Sequence, residues 1–178
     1  MTISTRELTD TVPQIGRLRS ILLRTGTRGP MTSTRDVEAV AGIGLVGDHR
    51  SMGRQPDPAA KRQVTLIQSE HLPAIAALAG HDRVDPALLR RNLVIEGINL
   101  ASLRERRFAI GSVLFEGTGW CHPCSRMEEA LGTGGFQAMR GHGGITARVL
   151  DGGTIGVDDP VEVVTEPSVV AGEADASR

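Results

Sequence analysis

The hydrophobic positions of this chain fall into short runs, and most of those runs lack a helical period. QIGRLRSILLRT, from Gln14, intersperses Ile15, Leu18, Ile21 and Leu23 with polar residues, which predicts a strand. VEAVAGIGLVGD reads as two further short strands broken by glycines, and VTLIQ (Val64–Gln68) as a compact buried strand. NLVIEG, RRFAIGSVLFEGTG, ITARVLDGG and TIGVDDPVEVV add more, each bounded by Gly, Asp or Pro. Helical signals are fewer. Ser69 opens SEHLPAIAALAG, which Gly80 ends. Asp85 before Pro86 is an N-cap with proline at the first helical position, so DPALLRR predicts a second, short helix. RGPMTSTRD is turn-rich, and HRSMGRQPDPAAKRQ is a polar, proline-containing loop.

Strands therefore outnumber helices and do not alternate with them. That pattern predicts an α+β, mainly β fold: a closed or half-closed β-barrel decorated by two to three short helices. The expected organisation is a flexible N-terminus over residues 1–14, one barrel domain over 15–165, and a disordered tail over 166–178.

Composition sharpens this picture in three ways. With three Phe, one Trp and no Tyr, the core must be built from Val, Ile, Leu and Ala, and aromatic platforms for single-stranded nucleic acid are missing. A net charge of −1 without any Lys/Arg block also argues against nucleic acid as a partner. MTISTRELTD has no apolar leader core and no apolar run reaches membrane-spanning length, so no membrane partner is expected and the setting is read as cytoplasmic. In that compartment two close cysteines point to catalysis or metal binding rather than to a static disulfide.

Two stretches carry candidate chemistry. Gly42-Ile43-Gly44-Leu45-Val46-Gly47 matches the dinucleotide fingerprint, but DHRSMGRQPDP follows it and cannot form the helix whose N-terminus would face a pyrophosphate. The glycines are read as a strand break or bulge. GTGWCHPCSRMEEAL, Gly117 to Leu131, holds both cysteines. Ser125 and Glu128 have capping-box spacing, which places Cys124 just before a helix start. Partial positive charge there, with Arg126 nearby, should favour the Cys124 thiolate as nucleophile or metal ligand. Cys121-His122-Pro123-Cys124 could be a redox dithiol, but the short strands that follow are no thioredoxin-like continuation. It could be part of a zinc site completed by His142, or one or both cysteines could simply be packed as small hydrophobes.

Taken together, GLVGDHR, VTLIQSEHL, LLRRNLVIEGINL, IGSVLFEGTGWCHPCSRMEEAL and GGTIGVDDPVEV resemble, in order, segments of the MOSC domain family, named for the C-terminal part of molybdenum-cofactor sulfurases. The resemblance spans roughly residues 15 to 164 and implies a β-barrel-rich α/β fold. It implies binding of the molybdenum cofactor (molybdopterin), with Cys124 as the metal-ligating and catalytic cysteine. A thiolate suits a metal that already sits among soft sulfur ligands. It also implies cofactor contacts from Arg24, Thr25, Arg50, Gln63, Arg90, Asn92 and His122, the arginines being suited to a phosphate. Relatives read Gly-Asp-Arg where this chain has Gly47-Asp48-His49, with Arg50 one place later. Arg140 and His142, in GFQAMRGHGG, could face a substrate. Two functions follow from the resemblance. One is an oxidoreductase reducing N-hydroxylated or N-oxide small molecules by oxo transfer, which needs a separate electron-donor reductase. The other is a non-catalytic cofactor-binding or persulfide-carrier module, supplied with sulfur by a separate desulfurase.

Overall fold

A computed structural model describes residues 3–164. Seven strands close into a barrel in the order β11-β7-β8-β9-β5-β6-β1, with β1 (Gly16–Arg24) returning to pair with β11 (Pro160–Val163). The others are β5 (Val64–Gln68), β6 (Leu93–Glu96), β7 (Arg107–Ile110), β8 (Val113–Trp120) and β9 (Ile145–Asp151). All neighbours run antiparallel except β5 and β6, which pair parallel with Leu66 opposite Leu93. β2 (Met31–Thr34) extends the sheet from the free side of β1. A separate three-stranded sheet joins β10 (Gly153–Gly156), β3 (Asp36–Val40) and β4 (Gly44–Leu45). The mainly β barrel expected from the strand pattern is what the chain forms. The turn-rich RGPMTSTRD nevertheless supplies β2, because pairing with β1 outweighs its weak local signal.

Two cores explain why β5 and β6 are apolar on both faces. Leu18, Ile21, Leu66, Leu93, Ile95, Phe108, Phe115 and Ile145 fill the barrel, where the two phenylalanine rings stack at 5.6 Å. Outside the barrel wall, Leu22, Ile67 and Val94 meet a layer of helices through Ile75, Leu89, Met127, Leu131 and Met139. A bulge in β1 between Leu18 and Ser20, against β6, shifts the alternation so that Ile21 points inward and Leu22 outward.

The outer layer holds α2 (His71–Ala79), α3 (Ser125–Leu131), α4 (Gly135–Ala138) and a one-turn 3-10 helix over Pro86–Leu89. Gly80 ends α2 in the left-handed conformation, φ 73°, as its type predicts. The helix starts one residue later than expected: Glu70, not Ser69, is its N-cap, and no side chain caps it. Asp85 does cap its turn, accepting a hydrogen bond from the Ala87 N–H. Residues 1–14, expected to be flexible, include α1 (Thr5–Asp10), started by a capping box between Ser4 and Glu7 and tied to the barrel by Arg106, which bonds Thr9 and Asp10. The expected tail, 166–178, lies outside the described residues. Among the described residues, no helix is long and apolar enough to cross a membrane.

Candidate functional site

β8 ends at Trp120, and the extended segment 121–124 leads directly into α3. Cys124 is itself the N-cap of that helix; its carbonyl accepts from the Met127 N–H, and no side chain caps the helix. The capping box expected from Ser125 and Glu128 does not form. Glu128 instead reaches forward to the N–H groups of Gly134 and Phe136, at 2.7 and 2.9 Å, which hold its carboxyl below the usual carboxylate range. Cys124 is exposed, whereas Cys121 is buried with its sulfur accepting from Arg62 at 3.3 Å.

Cys124 opens into a cavity of about 340 Å3 whose wall includes six arginines: Arg24, Arg50, Arg62, Arg90, Arg91 and Arg126. Among the described residues, the only carboxylate in this wall is Asp48. Arg126 pairs with Glu129 at 2.9 Å, and no other guanidinium of the six forms a carboxylate ion pair among the described residues. Burial first, then the neighbouring Arg62 and Arg24, push Arg50 below its ordinary pKa, with Asp48 opposing. Arg90 is lowered by burial, Arg24 and Arg126, against Cys124 and Glu129. Arginine stays charged through such shifts, so the cavity carries a crowded positive field that Asp48 and Glu129 only partly balance. The Arg50 guanidinium is half-buried and, among the described residues, has no hydrogen-bond or carboxylate partner.

A buried polar lattice fixes these arginines. Asp48, 4% exposed, accepts from the backbone N–H groups of Arg24 and Arg50 and from Asn92 Nδ2, at 3.0, 2.9 and 3.0 Å. Asn92 also donates to Leu22 O and accepts twice from Thr65, so all four hydrogen-bonding sites of its amide are taken. Arg91 is equally committed, donating to the carbonyls of Gly143, Leu89 and Cys121 at 2.7, 2.9 and 3.0 Å. Burial pushes Arg91 down first, then Arg62, while Cys121 opposes. The Thr27 carbonyl accepts from both Arg24 and Arg90, which straps the loop after β1 to the cavity rim. Arg90 reaches that position from a left-handed backbone, φ 60°, a strained conformation for a residue with a side chain.

Six of the expected site residues therefore share one wall: Arg24, Arg50, Arg90, Asn92, His122 and Cys124. Asn92, however, positions Asp48 and has no free group to offer a ligand. Two others lie elsewhere. Thr25 is exposed just past the end of β1 and does not line the cavity. Gln63 is buried, donating to the carbonyls of Asp57 and Ala60 and accepting from the Val149 N–H; it clamps a loop to the barrel. His49 hydrogen-bonds to Thr27 outside the cavity wall, and Arg50 takes the place inside it. Arg62, Arg91 and Asp48 were not singled out from the sequence. Arg91 and Asp48 lie inside the RRN and GD segments and Arg62 directly precedes Gln63, but position in the sequence does not tell an inward side chain from an outward one. Arg140 and His142 do not line this cavity. Among the described residues, no group of three His, Cys, Asp or Glu side chains could hold a metal, so the zinc reading of Cys121, His122, Cys124 and His142 has no site.

A model of the MOSC domain matches residues 47–162, which contain most of the barrel and the whole Cys124 segment. The chain belongs to the MOSC domain family. Solved structures with this MOSC fold include the YuaD protein of Bacillus subtilis, 17% identical, covering 88% of this chain and 100% of that one at a TM-score of 0.71. YiiM from Geobacillus stearothermophilus is 16% identical over 84% and 75% of the two chains, with a TM-score of 0.67. YiiM from Escherichia coli is 19% identical over 85% and 71%, with a TM-score of 0.63. No curated protein sequence matches the chain.

Proposed function

We propose that the cavity beside Cys124 binds the molybdenum cofactor and serves the reduction of N-hydroxylated or N-oxide substrates. The observation that carries this reading is a solvent-facing thiol on the wall of a 340 Å3 cavity that also holds an unpartnered, half-buried Arg50. The donor set fits. The wall offers one soft sulfur ligand and, among the described residues, no cluster of three His, Cys, Asp or Glu, which suits a metal that brings most of its own sulfur coordination. The arginines suit the phosphate of the same group, since a planar guanidinium binds two oxygens at once.

When bound, the cofactor would supply a metal centre that gives two electrons to the substrate and takes up its oxygen atom. The net change converts R–NHOH, two protons and two electrons to R–NH2 and water. Cys124, free and exposed, would hold the metal end through its thiolate. Arg50 and Arg24 would hold the phosphate end; Asp48 fixes their backbone N–H groups, and the Thr27 carbonyl ties the Arg24 guanidinium to that of Arg90 at the rim. His122, exposed two residues before Cys124, is the side chain assigned to pass a proton to the leaving oxygen. The electrons come from a separate reductase protein. A reducing, cytoplasmic setting belongs to the proposal, because both cysteines are free.

Protein from a host that makes the cofactor should reduce hydroxylamino compounds with a reduced viologen dye as donor, and Cys124→Ala should abolish that turnover. Unchanged turnover in Cys124→Ala removes the reading. The exposure of Cys124 also favours a second one, in which this thiol carries persulfide sulfur from a desulfurase. Mass spectrometry after incubation with a desulfurase and cysteine separates the two: a gain of one sulfur atom at Cys124 supports the carrier, and none disfavours it.

A further inference from the structure

The positive wall continues beyond the Cys124 cavity. Met31, Arg90 and Arg126 also line a second hollow of about 280 Å3, which runs outward between the loop after β1, the Pro86–Leu89 turn and α3. One side of this annex is apolar, built on Met31, Ala87 and Leu88, and Leu88 is 47% exposed. The other side is basic, with Arg28 joining Arg90 and Arg126. Glu129 is the one acid there and is already paired with Arg126 at 2.9 Å. Arg90 gives one N–H to the Thr27 carbonyl, and Arg28, among the described residues, has no hydrogen-bond or ion-pair partner. Among the described residues neither Arg28 nor Arg90 forms a carboxylate ion pair, and three guanidiniums share the single carboxylate of Glu129 here.

A cation would be repelled here, and a neutral molecule would leave both guanidiniums without an anion. An anionic head on an apolar body matches both walls. A phosphate monoester brings about −1.5 to −2 charges near neutral pH, the amount needed to balance two guanidiniums, whereas a single carboxylate brings half of that. The recess is concave and holds only a small molecule, which favours a substrate group over an acidic protein surface.

We propose that this annex binds the phosphate monoester of a substrate whose reacting end lies at Cys124. The phosphate sits on Arg28 and Arg90, and the body of the substrate lies against Leu88 and Met31. This assignment rests on the reading of the Cys124 cavity as the reaction site and adds to it the class of molecule admitted.

Isothermal titration of the purified protein with phenyl phosphate and with inorganic phosphate tests the annex without any turnover. Wild-type protein should bind phenyl phosphate more tightly than inorganic phosphate. Arg28→Ala should weaken phenyl phosphate by about tenfold, the usual size for one lost charge-assisted hydrogen bond. Leu88→Ser should erase the advantage of the phenyl group. Circular dichroism should show both variants folded, since both side chains are exposed. Equal phenyl phosphate affinity in wild type and Arg28→Ala overturns the proposal, because the arginines of the main cavity would then account for all binding. It is equally overturned if that affinity is unchanged while reduction by a donor protein becomes slower and salt-sensitive, which would make the face a protein dock. Absence of reductase activity alongside the expected binding pattern would count against the proposed reaction and leave the annex standing.

Discussion

Asp48 is the residue on which the geometry of the arginine cavity depends most, and its replacement by alanine gives a result that can be worked out in advance. The carboxylate is 4% exposed and takes three hydrogen bonds, from two backbone N–H groups and one amide, at 2.9 to 3.0 Å. In Asp48→Ala, the N–H groups of Arg24 and Arg50 and one N–H of Asn92 lose their acceptor. Each orphaned donor costs about 1–3 kcal/mol, and relief from desolvating a carboxylate offsets part of the total. A net loss of about 3–5 kcal/mol is expected, a large share of the roughly 5–15 kcal/mol that stabilises a typical domain. Asp48→Asn should lose less, about 2 kcal/mol, because its carbonyl oxygen can still accept from two donors while its NH2 faces the third. Urea unfolding followed by circular dichroism reads both values from the midpoint at constant slope. A loss below about 1 kcal/mol in Asp48→Ala would refute the reasoning, since the lattice would then hold together without its acceptor.

Three further outcomes follow from the same packing. Arg91→Lys should destabilise by about 3 kcal/mol and loosen the 121–124 segment, because an ammonium cannot span the three carbonyls that the guanidinium now bonds; urea unfolding and proteolysis near Cys121 check this. Gly144→Ala should not yield folded protein, since φ is 80° and a Cβ would overlap the Leu66 carbonyl oxygen; soluble expression and circular dichroism decide it. His71 is held below its ordinary value of 6.5 by burial first and then by His142, against Glu70 and the His142 backbone. Below 6.5 the unfolded chain therefore binds the extra proton, so this group makes stability rise with pH just under 6.5 and has no effect above it. His71→Gln should flatten that part of a stability-versus-pH curve, and an unaltered slope would contradict the assignment.

Local signals were readable wherever a residue does one thing to its own neighbourhood. Gly80 stops α2, Asp85 caps the next turn, and VTLIQ is a strand buried on both faces. The glycines of GIGLVG have positive φ at Gly42, Gly44 and Gly47 and surround β4, which is the strand break read from the missing helix. Cys124 at a helix start was also legible, although the capping partner was not, because Glu128 found better donors in the glycine turn that follows. The site was legible as a set of residues but less so as roles. Asn92 was expected to touch a ligand and instead joins Asp48 to Thr65, and Gln63 fastens a loop. Such roles depend on which side chains meet across the barrel, and pairing between distant strands leaves no local trace. The capping box of Ser4 and Glu7 was present in plain spacing and was masked by the polarity of the segment around it.

The central claim is that the thiol of Cys124 and the arginine cavity beside it hold a molybdenum-bearing pterin. Elemental analysis by inductively coupled plasma mass spectrometry, on protein purified from a host that makes the cofactor, tests this most directly. Molybdenum should accompany the wild-type protein in proportion to the chain and fall to background in Cys124→Ala and Arg50→Ala. Stoichiometric zinc in place of molybdenum, or molybdenum retained equally by both variants, would contradict it.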